Sequence, residues 1–293
     1  MGNLIKAEFR KIITTRLWWA LMIPAFAMAF GFAFFWGRIT NNLVDYLGSN
    51  DLDELTRLLG VNADKLPVGL LGLAHGINVG TMFAMIFGVL ALAGEYHRKT
   101  ITTTFLTSPT RFHALTAKMA TYVLWGVIYG LVIFVAATLG VLLGVDGDKL
   151  PGGGQWLAML GAGILATVLV TLFGIGFGAV LNSVITSNII LIIYMLIIEN
   201  VLILFLWSKA PVLGAILPNG TANGIVGGVG AEAFGAAASN SPLGLDTEIR
   251  FGLQFAAGAP GVQSWWESGL VFAGWAVLFF AAGWALNQRR DIT

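Results

Sequence analysis

GEYHRKTITTTFLTSPTRFHALTAK, residues 94–118, is a basic, threonine-rich island set between two long apolar segments. Hydrocarbon offers an irregular polar loop of this length no partners, so the island must stand at an aqueous face while its flanks cross the bilayer. Arg98, Lys99, Arg111 and Lys118 against the single acid Glu95 assign that face to the cytoplasm. A soluble partner docking on the island is the expectation that follows.

Each flank, and four further segments, have the roughly 20 apolar residues that a span needs. The six run 17–37, 74–94, 117–145, 156–181, 188–207 and 268–286, with a cytoplasmic loop at 95–116. The whole composition agrees. Of 293 residues 57% are hydrophobic and 11% charged, with a mean hydropathy of +0.83, whereas a soluble domain carries about 25% charged residues. The expected fold class is therefore an all-α integral membrane protein, a single transmembrane domain over 1–293. Cysteine is absent, which excludes disulfides, thiolate metal sites and a cysteine nucleophile.

Charge sets the orientation. The N-terminus, the 95–118 region and the C-terminus together hold ten Lys/Arg against three acids, a balance of +7. The opposite side holds six against eleven, or −5, and Glu199 inside a span completes the total of +1. Positive residues favour the cytoplasm, so both termini are expected inside. The basic flank and Ala27-Met28-Ala29 are reminiscent of a signal peptide, but removal of that segment would leave five spans. The first span is read as uncleaved.

Residues 1–16 place Ile5, Phe9, Ile12 and Ile13 at helical spacing, with Lys6, Arg10 and Lys11 mainly on other faces. An amphipathic helix lying in the interface fits that pattern; a basic flank that merely orients the first span is the alternative. In the external loop 38–73, Leu52, Leu55, Leu58 and Leu59 form one apolar stripe, and Asp51, Asp53 and Glu54 read as a solvated face without EF-hand spacing. Residues 182–187 read as a tight cytoplasmic turn. The external region 208–267 is broken by Pro211 and Pro218 around Asn219, too interrupted to span and too apolar to be fully wet. A re-entrant hairpin buried against protein, forming an outer gate, is expected there. Four glycine pairs spaced four apart (76/80, 126/130, 140/144, 174/178) permit close helix approach, although among 38 glycines such pairs arise by chance.

Few residues offer chemistry. Glu199, beside Asn200, is the one acid or base well inside an expected span, and such a carboxylate is a functional candidate by default. Its other reading is structural, hydrogen-bonding a helix end near the outer leaflet, and a proton-coupled carrier would show more than one such group. His75, His97 and His113 have no zinc-motif spacing, so no metal is expected. No HExxH, GxSxG or phosphate-loop sequence occurs, and no enzyme active site is expected. Gly152-Gly153-Gly154-Gln155 matches part of a nucleotide-cassette signature, yet it lacks the Leu-Ser start and falls on the external side.

The island resembles the intracellular loop of ABC-2 type permeases, the membrane subunits of one class of ABC exporters. The run Gly94-Glu95-Tyr96-His97-Arg98-Lys99-Thr100-Ile101 is similar to the family's G-E-[YF]-[RH]-x-G-T-[IL], followed by Thr102 to Thr104, Pro109, Arg111 and Lys118. Lys99 stands where the family usually has Gly. The amphipathic opening, six spans, Pro/Gly-interrupted hairpin and carboxylate in span five extend the resemblance over nearly the whole chain.

The resemblance implies a coupling helix between spans two and three, seated on a separate cytoplasmic ATPase subunit that binds ATP and Mg. Glu95 and Arg98 would orient it by charge pairing, with Tyr96, Lys99 and Thr100 beside them. Thr100 to Thr104 would cap or pack it, Pro109 end it, and Arg111 meet acidic partner groups or lipid phosphates. For Arg98, Lys99 and Arg111 the plain topology signal remains an equal reading. The resemblance further implies a second, identical or paralogous permease, a bacterial plasma (inner) membrane location and alternating access. No cofactor on this chain and no nucleic-acid partner are expected. Apolar, aromatic-rich spans suit a hydrophobic or amphipathic substrate such as a drug or lipid. A secondary carrier or channel using Glu199 is the competing reading, and a membrane-embedded enzyme the third.

Overall fold

The computed structural model describes residues 2–47, 67–106, 108–206, 209–210, 212–238, 252, 254–261 and 264–289. Among these the regular structure is helical. Helix α1 covers Gly2–Thr14, α2 Leu17–Leu47, α3 Gly69–His97, α4 Ile101–Leu106 and α5 Arg111–Gly144. After a short 3₁₀ turn at Gly147–Lys149 follow α6 (Gly153–Leu181), α7 (Val184–Leu206), α8 (Leu213–Ile216), α9 (Pro218–Ala238) and α10 (Trp265–Arg289). Six of them, α2, α3, α5, α6, α7 and α10, are long and apolar enough to cross a membrane, matching the six segments expected.

Several helices outrun their apolar cores. The 29 residues of α3 and 34 of α5 extend about 43 and 51 Å at ~1.5 Å per residue, beyond a hydrocarbon core of about 30 Å. Hydropathy marks only the part in lipid, so it misses polar ends such as Glu95–His97. The turn expected at 182–187 shrinks to Asn182 and Ser183. Asn182 takes a left-handed φ of 54° and donates its N–H to the Gly178 carbonyl at 2.9 Å, while Ser183 caps α7 from outside. Gly152 and Gln155 prove to be a helix start: the Gln155 Oε1 accepts the Gly152 N–H at 2.9 Å.

The bundle has a centre and a periphery. In the most apolar stretch, α3 is 67% and α6 56% buried, against 17% for α2 and 22% each for α7 and α10. All eight glycines of the four spaced pairs sit at helix crossings. A Cβ on Gly76 would lie 2.6 Å from the Ala29 carbonyl oxygen, one on Gly130 3.0 Å from Ile164 Cα, and one on Gly178 2.8 Å from the Val89 carbonyl oxygen. One on Gly174 would run into the Met85 carbonyl oxygen. The pattern that chance alone would supply is here the means by which α2, α3, α5 and α6 pack backbone against backbone.

The chain gathers its basic segments at one end. Glu8, Glu95 and Lys118 meet there, and Phe112 stacks edge-on against Trp284 near the end of α10. At the other end Asn41 Nδ2 donates to Asp45 at 3.0 Å and Asp146 at 2.8 Å, and Lys149 pairs with Asp45. Residues 48–66, with the leucine stripe and Asp51, Asp53 and Glu54, lie outside the described residues, as does Pro211.

Candidate functional site

At the basic end α3 stops in a Schellman motif. The Thr100 N–H reaches back to the Glu95 carbonyl at 3.0 Å and the Lys99 N–H to that of Tyr96 at 3.1 Å. Lys99 itself takes φ = 56°, the left-handed conformation that favours glycine. The chain then turns into α4, whose first-turn carbonyl acceptor is Thr100. Pro109 lies in the bend that follows, Thr110 caps α5 by accepting the His113 N–H at 3.2 Å, and Arg111 is the first residue of α5.

Beneath this turn is an ionic tetrad in which Glu8, Glu95 and Lys118 are buried and Lys11 is half exposed. Lys118 Nζ lies 2.9 Å from Glu95 Oε1 and 2.7 Å from Glu8 Oε2. Lys11 Nζ lies 2.7 Å from Glu8 Oε1 and 2.5 Å from the same Glu95 oxygen. The other Glu95 oxygen accepts from Thr104 Oγ1 on α4 at 3.3 Å. Two carboxylates and two ammoniums cancel, which is the condition for keeping charges out of water. Burial by itself would raise the Glu8 pKa, but Lys118 and then Lys11 outweigh it and hold the carboxyl below its usual value. The tetrad thus binds α1, α3, α4 and α5 into one unit.

Glu95 does pair by charge, with Lys11 and Lys118. Arg98 is exposed, and its Nε donates to the Gly94 carbonyl at 3.2 Å. Tyr96 packs half-buried against the core, while Lys99 and Thr100 are exposed. Leu106, the last residue of α4, is 86% exposed. Sequence reading missed Glu8 and Lys11 as partners, yet the signal was there. Glu8 is the lone acid of a basic helix and falls between Ile5 and Ile12 on its apolar face.

A second junction lies toward the opposite end. Glu199 is fully buried, and its two oxygens accept the N–H groups of Asn219 at 2.8 Å and Gly220 at 2.5 Å. These are free N–H groups in the first turn of α9, just after Pro218, so the carboxylate caps that helix from α7. The structural reading of Glu199 is the one the geometry supports. Just before it, Tyr194–Ile198 forms a π turn, and Asn200 Nδ2 bonds the carbonyls of Met195 at 2.9 Å and Leu196 at 3.0 Å. Asn219 Nδ2 contacts Asn200 Oδ1 at 3.4 Å and Asn223 Nδ2 donates to Asn219 Oδ1 at 3.1 Å, along a cavity of about 250 Å³ that also exposes His75 and Asn78.

Neither a comparison with protein-family models nor one with curated proteins returned a match.

Proposed function

We propose that this chain is the membrane subunit of an ATP-driven ABC-2 type exporter, moving a hydrophobic or amphipathic substrate by alternating access. A separate ATPase subunit would supply the power and a second permease the other half of the pathway. The observation that carries the reading is α4: a six-residue helix on the turn between two spans, tied to them by the Schellman turn and Thr104–Glu95, yet presenting Leu106 bare. A rigidly mounted helix with an exposed leucine between Lys99 and Arg111 suits a groove with an apolar floor and acidic rim. In this reading α4 is the coupling helix, and α8 and α9 are the re-entrant outer gate held shut by Glu199 against Asn219. The basic end faces the cytoplasm of a bacterial inner membrane.

The carrier reading loses ground, because the Glu199 carboxylate is already taken by two backbone N–H groups. The deciding experiment is purification from native membranes in mild detergent with mass spectrometry of stoichiometric partners. A soluble protein bearing a phosphate-loop sequence, retained by the parent and lost with Leu106→Glu, supports the exporter. Intact complexes that reproducibly lack any ATPase overturn it.

A further inference from the structure

Behind the tetrad lies a cavity of about 240 Å³ that mixes two chemistries. One wall is apolar, with Leu17 from α2 and Phe87 and Leu90 from α3; the other carries Arg98 and Thr100 beside all four members of the tetrad, Glu8, Lys11, Glu95 and Lys118. Charge is uneven between the two. The tetrad cancels internally, so Arg98 is the unbalanced charge of the site. Among the described residues Arg98 forms no ion pair, and the Nε bond to the Gly94 carbonyl is the one hydrogen bond its side chain makes. A guanidinium has five N–H donors in a planar fork suited to phosphate. The side chain folds back over α3, its Nη2 3.2 Å from where a Cβ on Gly94 would stand, toward the span and away from α4.

The position matters as much as the charge. Phe87 and Leu90 belong to the membrane-crossing part of α3, and Arg98 stands one residue past its end. The cavity therefore bridges the depth at which acyl chains give way to headgroups. Alongside it α1 exposes Lys6 and Arg10, which attract an anionic surface. An inorganic anion would match Arg98 but leave the apolar wall uncovered; a neutral lipid would cover the wall but leave the extra positive charge unmatched.

We propose that this cavity holds a resident anionic phospholipid, its phosphate on the Arg98 guanidinium and an acyl chain along Leu17 and Phe87. The lipid is a structural ligand at the α1–α3 joint and not transported cargo. The assignment stands apart from the exporter reading, since it needs only a bilayer.

Native mass spectrometry of the delipidated full-length protein tests it, using phosphatidylglycerol and phosphatidylcholine with identical chains. Phosphatidylglycerol should bind about tenfold tighter than phosphatidylcholine, the worth of one charge-assisted contact. Arg98→Gln should bring the two lipids to parity, Arg98→Lys should retain most of the preference, and Leu90→Trp, which fills the cavity, should weaken both. Equal preference in the parent and Arg98→Gln overturns the proposal. So does displacement of the lipid by millimolar inorganic phosphate, which would identify a simple anion site.

Discussion

Replacing Lys118 by methionine should detach α1 from the bundle, and the tetrad sets by how much. Lys118 is 3% exposed at its side chain and Glu95 7%, whereas Lys11 is 46% exposed. Without Lys118, two buried carboxylates share one half-solvated ammonium. Breaking a buried pair in this way costs about 3–5 kcal/mol. Glu95→Gln is the milder lesion, because the surplus positive charge falls on Lys11, which can turn to water; the loss is then about 1.5–3 kcal/mol for hydrogen bonds to a charged group. The double variant Lys118→Met/Glu95→Gln leaves Glu8 with Lys11 and should be less harmed than Lys118→Met alone. The chain has no cysteine, so Ile12→Cys, at a buried position of α1, gives a clean reporter of helix opening. At ~1.4 kcal/mol per factor of ten, Lys118→Met should speed thiol labelling by two orders of magnitude or more, and Glu95→Gln by roughly tenfold to a hundredfold. Labelling no faster in Lys118→Met than in the parent, or fastest in Glu95→Gln, would refute the tetrad as the latch.

Four further outcomes are expected. The Glu8 carboxyl is held below its usual 4.5, so its stabilisation is complete above that pH and is lost as the pH falls through the folded value. Hydrogen exchange in α1, corrected for the intrinsic rate, should accelerate below about pH 4.5, and Glu8→Gln should flatten the response. Lys99→Gly should raise the melting temperature over Lys99→Ala by the equivalent of about 1 kcal/mol, since both lose the charge and only glycine relieves the left-handed backbone. Glu199→Leu should unfold more readily than Glu199→Gln, which keeps one acceptor for the α9 N–H groups; each orphaned buried donor costs about 1–3 kcal/mol in a denaturant titration. Gly174→Ala should lower the thermal midpoint, while Gly161→Ala, which meets nothing within 4 Å, should leave it unchanged or slightly raised.

Much of the fold was written in hydropathy, because lipid demands long apolar helices and tolerates little else. All six spans could be placed, and their errors share one cause: helices continue after hydrophobicity stops, as at Arg111–Thr116 and Arg38–Leu47. Pairings were harder to read. Glu95 stood out in the island, but its partners Lys11 and Lys118 lie 84 and 23 residues away, and only the helical phase of Glu8 hinted at them. Glu199 was legible as a helix-end cap in kind, and not in its target. Lys99 is the reverse case. Nothing in the residues around it announced the left-handed φ of 56° that it takes.

The glycine crossings carry a mechanical consequence. Sliding between packed helices needs a compliant layer of side chains, and where backbone rests on backbone that layer is missing. The helices α2, α3, α5 and α6 then behave as a lever arm. Because α3 is about 43 Å long, a tilt of about 5° imposed through α4 would swing its far end by roughly 4 Å, undiminished on the way. Asn78, about two thirds of the way along α3 from its basic end, donates to the Asn223 carbonyl at 3.4 Å, and a shift of roughly 2.5 Å there is enough to break such a contact. On the exporter reading, a small angular push at the basic end would thereby be geared into the making or breaking of a polar contact deep in the bundle.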